Sequence, residues 1–398
     1  MHGQLLAQPY DWLIKGGTVI DPKNGIHKRL DIAVKDGIIV KVDRNIPVEQ
    51  ASRVIQARGL YVTPGLIDLH THIFAGPEKN KFANGGNSLS PDEFSFRSGV
   101  TTMVDAGTSG AANFPRFKEQ VIDASATRVL AFLNIAAEGL SGKPLQEDLS
   151  LMSVDSALAR IRQFPEQIIG IKIGHYELPG LEAFQRAAEA AQRSGKPLLV
   201  ECHLPQISLE EQLSLMHPGD IITHTFEQVA ERQPVVDEAG LLRSYVLSAR
   251  NRGILFDLGH GGAGFWFSQA IPALKQGFTP FTFGTDLHRF SMNAGMKNLL
   301  NVLSKFMSLG MSLDDVLLRA TWNPAKAIRR EDLGHLSPGA VADIALLRMS
   351  KGTFGYVDAG GNKITGHRKL EAELTLRAGK VVWDLNGLTA KPYPASTR

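Results

Sequence analysis

The chain has 398 residues, 43% hydrophobic and 21% charged, with 43 Lys and Arg against 40 Asp and Glu for a formal charge of +3. That length suits one large domain and a smaller one, and a near-neutral balance without a basic block gives no support to nucleic acid or a membrane surface as partner. No apolar run approaches the ~18 residues that span a bilayer, and the single cysteine, Cys202, excludes an intramolecular disulfide.

Along the chain, a cytoplasmic location is the simplest reading. The start carries an alternative: residues 5–8 (LLAQ) resemble the tail of a clipped signal, which would make the protein secreted or periplasmic. Residues 1–62 read as short strands. In "LDIAVKDGIIVKVD" the pair Asp36-Gly37 separates two Val/Ile-rich runs, a hairpin signal.

From 63 to 334 short apolar runs alternate with helical stretches. Eight runs end at His70, Asp105, Asn134, Lys172, His203, His224, residues 257–260 and Asp286. Between them, "SPDEFSFRSG" predicts a helix opened by Ser90 as N-cap, Pro91 and Glu93. "LEAFQRAAEAAQRSG" predicts a helix stopped at Gly195. Eight strands separated by helices predict an α/β fold, a (β/α)8 TIM barrel. Residues 335–398 return to strands, with turns at Pro338-Gly339 and Ala378-Gly379. Neither β-rich end buries much alone, so both chain termini are expected to build one small β-sandwich domain.

In such a barrel the strand C-termini ring one mouth. In "GLIDLHTHIF" (65–74), alternation puts His70 and His72 on one inward face and Thr71 away from it. Neutral imidazole suits zinc and similar ions. His203, His224 and Asp286 end the fifth, sixth and eighth strands. Lys172, amid apolar "IIGI", is hard to justify as a free ammonium aimed into a metal mouth. Reaction of its neutral amine with carbon dioxide would give an anionic carbamate able to bridge two metals.

These features together resemble the amidohydrolase superfamily: GLIDLHTH at strand one, Lys at strand four, His at strands five and six, GTD at strand eight, and the tail LGHLSPGAVADIALL. Within it the chain looks closest to the dihydroorotase-like and deacetylase-like branch with a carboxylated lysine. The resemblance implies two divalent metal ions, usually Zn2+. His70, His72 and Asp286 would hold one, His203 and His224 the other, and N-carboxylated Lys172 would bridge them with a hydroxide. Asp286 would be the catalytic acid/base, and Asp68 would orient the histidine pair. The implied activity is cleavage of an amide or ester in a small molecule, with linear acylated substrates ahead of cyclic amides.

One departure bears on the substrate. Two positions after Lys172, where relatives often carry a basic residue, stands Gly174, followed by His175-Tyr176-Glu177. Candidate substrate-binding residues are His260 and Gly261, whose glycine neighbourhood would let backbone N–H groups approach a substrate oxygen, His288 and Arg289 for a carboxylate, and Tyr176, Asn134 and Thr108 by position. His217, His335 and His367 read as surface residues, and Cys202 as a packing residue. Two rivals remain: a mononuclear metal-dependent deaminase, which would not need Lys172, and a non-enzymatic interaction scaffold. A homo-oligomer is compatible with the sequence.

Overall fold

Strands from both ends of the chain are hydrogen-bonded into one eight-stranded sheet. The computed structural model describes residues 8–201, 207–230 and 232–393. The N-terminal contribution is β1 (Tyr10–Asp21), β2 (Ile26–Lys35), β3 (Ile38–Asp43), β4 (Ala51–Gln56) and β5 (Tyr61–Pro64). Asp36 and Gly37 both adopt positive φ, +49° and +77°, the geometry a two-residue hairpin turn requires. Gly16-Gly17 makes a bulge in β1, which runs through it as one continuous strand.

The C-terminal contribution is β14 (Ile344–Val357), β15 (Lys363–Arg377) and β16 (Lys380–Asp384). β14 pairs antiparallel with β5, which joins the two ends of the chain. Buried residues from both ends, among them Ile14, Ile32, Val62, Leu346 and Leu374, share one apolar core. The pairing runs unbroken through the sheet in the order β16-β15-β14-β5-β1-β2-β3, with β4 on β1.

Between these ends lie β6 (Leu66–Thr71), a short β7 (Ala75–Glu78), β8 (Val100–Gly110), β9 (Arg128–Asn134), β10 (Ile168–Gly174), β11 (Leu198–Glu201), β12 (Ile221–Ile222) and β13 (Leu255–Phe256). All but β7 pair in parallel in chain order. Residues 281–287 occupy the eighth position. Parallel bridges from Asp257 to Thr282 and from Thr71 to Leu287 close the ring. The result is a TIM barrel. Ile67, Val104, Phe132, Ile169, Leu199 and Ile221 fill its interior. Phe132 is fully buried there, and truncation to Ala is expected to cost about 3–5 kcal/mol.

The helix at Glu182–Ser194 ends on Gly195 at φ +66°, as its sequence predicts. The helix expected from Ser90 does not form. Two 3-10 turns, Pro91–Glu93 and Phe96–Ser98, take its place, and Ser90 caps neither. Asp92 instead accepts from the N–H groups of Ala126 and Thr127, both at 2.9 Å. These tertiary bonds outweigh a local cap worth about 1 kcal/mol.

Two bulges aim the site residues. Asp68 faces Met103 while Thr71 faces Asp105, so three steps on β6 run against two on β8. Ile67 and Leu69 can therefore pack inside the barrel while His70 and His72 also turn inward. On β10, Ile168 faces Ala131 and Gly170 faces Phe132, which puts Ile169 inside and still aims Lys172 at the mouth. Among the described residues no helix is long and apolar enough to cross a membrane.

Candidate metal centre

Three imidazoles converge at the barrel mouth. The His70 ring lies 5.4 Å from that of His72 and 5.3 Å from that of His224. Each has its Nδ1 engaged, leaving Nε2 toward the centre. His224 Nδ1 donates to the Gly259 carbonyl at 2.7 Å. His72 Nδ1 is 3.0 Å from Thr108 Oγ1. His70 Nδ1 is 2.9 Å from Thr223 Oγ1, which donates to Asp257 Oδ2 at 2.8 Å. A fixed Nδ1–H leaves the Nε2 lone pair as the coordinating atom. Burial, with Lys172 nearby, pushes His70 down to about 4, so this ring is neutral at physiological pH.

Asp286 Oδ1 lies 3.1 Å from His72 Nε2 and 3.6 Å from His70 Nε2. Burial opposes its ionisation, but His288, His70 and His72 hold the carboxyl well below the usual range. Glu201 ends β11 on the same inward file as Leu199. Its carboxylate contacts Lys172 Nζ and lies 2.9 Å from His224 Nε2. His175 Nε2 lies 3.1 Å away. Burial would raise Glu201, yet Lys172, His175 and His224 together keep it well below its ordinary value. His224, Asp286 and His175 all adopt positive φ, +56°, +51° and +57°. Such non-glycine strain, on the order of 1–3 kcal/mol each, gathers at functional sites.

These side chains fit a metal pair. Donor atoms of His70, His72 and Asp286 all lie within 4.8 Å of one another, as do those of His70, Glu201 and His224. The two groups share His70, whose buried Nε2 has no hydrogen-bond partner. A bare lone pair at the junction of two anionic donor sets is the chemistry of a borderline divalent cation. Lys172, fully buried, adjoins the second set. His203, and with it Cys202, lies outside the described residues.

The remaining sequence candidates divide. His288 lines the mouth; its Nδ1 accepts from the Phe290 N–H at 3.2 Å, so Nε2 carries the proton toward Asp286. Arg289 does not line it: the side chain is exposed, and its backbone N–H donates to Asn87 O at 3.0 Å. Tyr176 is 4% exposed and packs in the core behind the barrel wall, because β10 ends at Gly174 and the positive φ of His175 breaks the alternation that would have kept it on the face of Lys172. Asn134 is spent on the backbone, donating to Gly107 O and accepting from Ala136 N–H. Thr108 is an orienting group for His72.

Gly261 cannot offer its N–H to a substrate, since that group donates to Thr285 O at 2.9 Å. His260 is buried with its ring turned from the mouth onto Lys305. Asp68 does not touch either imidazole. It accepts from Thr285 N and Oγ1 at 2.9 and 2.6 Å and ties β6 to the eighth position. His217 and His367 are exposed, whereas His335 is buried beside Trp322.

The sequence reading missed Glu201, His175, Thr223 and Asp257 as parts of the site. It also missed the wall of the mouth, a cavity of about 330 Å³ lined by Phe82, Leu140 and Phe290 as well as the polar groups. Rings step outward from His72 to Phe82 (5.3 Å), His288 (5.7 Å) and Phe290 (6.0 Å).

A closed barrel with two donor sets at its mouth defines a metal-dependent hydrolase. The sequence matches the model of the amidohydrolase family over residues 61–256 and 267–375, and the chain belongs to that family, whose members act on C–N bonds. Among its relatives is a deacetylase of Brucella anthropi, 32% identical over 342 residues, covering 83% of this chain and 82% of that protein. Two solved structures are close in fold. An adenine deaminase superposes with a TM-score of 0.86 at 27% identity, over 94% of this chain and 100% of that one. A dihydroorotase gives 0.82 at 28%, over 94% and 99%.

Proposed function

We propose that this protein removes an acyl group from a small linear amide or ester, with two divalent ions, zinc in the first instance, held at the mouth. His70, His72 and Asp286 would hold one ion, and His224 with His203 or Glu201 the other. Lys172, N-carboxylated, would bridge them. When bound, such a pair polarises a carbonyl oxygen and makes water a nucleophile near neutral pH.

The protein's own groups do the rest. Asp286, ionised and open to the cavity, takes the proton of the attacking water and returns it to the leaving nitrogen or oxygen. His288, whose Nε2 lies 3.6 Å from Asp286 Oδ2, offers Nε2–H to a substrate oxygen. Phe82, Leu140 and Phe290 receive the substituent and exclude water from the reacting carbonyl.

The observation that carries the reading is the paired donor sets sharing His70, one of them beside the buried Lys172 amine. The acyl preference rests on the deacetylase relative and on the lining of the mouth. No Lys or Arg lines it among the described residues, and the stretch 202–206 (CHLPQ) contains none. A substrate carboxylate would lack a fixed cation there, so apolar substituents are favoured.

The test is a panel of N-acyl amino acids with their methyl esters, O-acyl hydroxy acids, hydantoins, lactones and adenine, assayed with zinc and with manganese alongside metal analysis. Two equivalents per chain and acyl hydrolysis support the proposal. One equivalent with ammonia release from an aminopurine would replace it with deamination, the activity named for the adenine deaminase structure.

A further inference from the structure

Residues 259–264 cross the mouth between β13 and the eighth position and press on two of the metal-centre side chains. A Cβ on Gly261 would lie 2.1 Å from Asp286 Oδ2, and one on Gly264 would lie 2.4 Å from His224 Nδ1. Gly259 supplies the carbonyl that fixes the His224 ring. Where this loop sits therefore decides where both side chains sit.

The chemistry proposed above does not use His260, which this loop carries. Its ring stacks on Phe265 at 4.8 Å and 22°, and its Nε2 lies 2.5 Å from Lys305 Nζ. Lys305 is fully buried in the helix Leu299–Ser308. Its Nζ also donates to the carbonyls of Gly295 at 3.1 Å and Val357 at 2.7 Å. One amine thus joins the mouth loop, the loop after the eighth position, and the end of β14 in the terminal domain.

The tip between β14 and β15 adds two bonds to the same region. Ala359 N–H donates to Phe265 O at 2.8 Å, and Asp358 Oδ2 accepts from Phe267 N–H at 3.1 Å. A buried amine costs stability unless its donors are satisfied. Here all three meet acceptors, and the acceptors belong to three separate segments.

We propose that Lys305 is a positioning residue of the metal centre: through His260 it holds residues 259–264 against His224 and Asp286, and it makes the β14–β15 hairpin part of the active-site scaffold. This rests on the reading of the mouth as a metal centre, not on the choice of substrate.

The test compares full-length wild type, Lys305→Met, His260→Leu and the double variant, each loaded with zinc or cobalt. Metal affinity is measured by chelator competition, the cobalt absorption spectrum is recorded, and kcat and KM are measured well below each Tm. Lys305→Met is expected to bind the same number of ions about 10–100-fold more weakly, with a shifted cobalt spectrum. Its kcat should fall by a similar factor with KM nearly unchanged. The double variant should be no worse than either single one, because both cut the same path. Wild-type affinity, spectrum and kcat in Lys305→Met overturn the proposal.

If Lys305→Met does not fold, His260→Gln and His260→Leu decide it. Gln keeps an acceptor for Nζ and should retain metal affinity while Leu loses it; equal affinities overturn the proposal. Wild type that binds metal yet hydrolyses nothing in the panel removes the substrate reading only, since the affinity comparison still decides the role of Lys305.

Discussion

His70 can present a bare nitrogen to the centre only because its other nitrogen is engaged by Thr223, which Asp257 in turn holds. Thr223→Val keeps the shape and deletes the acceptor. Metal affinity by chelator competition should drop about 10–100-fold; an unchanged value would mean that Thr223 does not set the ring. Lys172→Ala tests the bridging amine. Bound metal should fall from two equivalents to one and activity should vanish, with partial return on adding short carboxylic acids. Full activity without them removes the bridge.

Lys305 is tested by pH. Burial above all pushes it down to about 7, with Asp358 opposing and Lys297 adding; His260 is the third titratable neighbour, itself held well below its ordinary value by burial and by Lys305. An unfolded lysine keeps its proton to about 10.5. Between those values the unfolded chain carries the extra proton, so stability rises with pH across that window. The stability of wild type relative to Lys305→Met should therefore grow from about pH 7 to about pH 10 in denaturant titrations. A gap that shrinks would contradict the assignment.

At the level of elements, the ligand pattern was legible because residue type and strand order suffice to write it: HTH, then Lys, His and Asp at run ends. What positions those residues was not. The β6 bulge depends on its pairing with β8, and nothing in LIDLHT marks an extra residue. Nor does the sequence mark the positive φ of His224, whose ring meets Gly259 O in the mouth loop, or of Asp286, whose N–H donates to His70 O on β6. In VECH, Glu201 and His203 share one face by alternation, so the pattern alone does not choose between them as the strand-five ligand. Tyr176 follows a run end by position, but the positive φ of His175 ends the alternation there, and the glycines beside His260 do not say which way its ring turns.

The loop at Gly261 has its own consequence. Gly261→Ala puts a Cβ at φ +48° and 2.1 Å from Asp286 Oδ2, so the carboxylate must shift. Activity should fall by at least about 100-fold, while Gly277→Ala, also at positive φ but with open space around it, should leave activity unchanged. Equal activity in the two variants would show that the loop does not constrain Asp286.

For the whole molecule, the donor sets draw on barrel positions one, five, six and eight, so bound ions cross-link the strands that close the ring. The eighth position is held to the first by few backbone bonds, among them Asp286 N–H to His70 O at 2.7 Å and His72 N–H to Leu287 O at 2.9 Å. Ions that bind the folded chain alone stabilise it by mass action, about 2.7 kcal/mol per site at a hundredfold excess over Kd. Chelator-stripped protein should therefore melt several degrees lower than protein with zinc restored, and the shift should grow with free zinc. Because Asp343 ties the barrel to the terminal sheet, through Arg128 on β9 and Arg377 on β15 at 3.5 Å, the two domains should unfold together and the whole transition should move. A melting curve in which only part of the transition responds to zinc would separate the barrel from the sheet, and with it the claim that the hairpin belongs to the active-site scaffold.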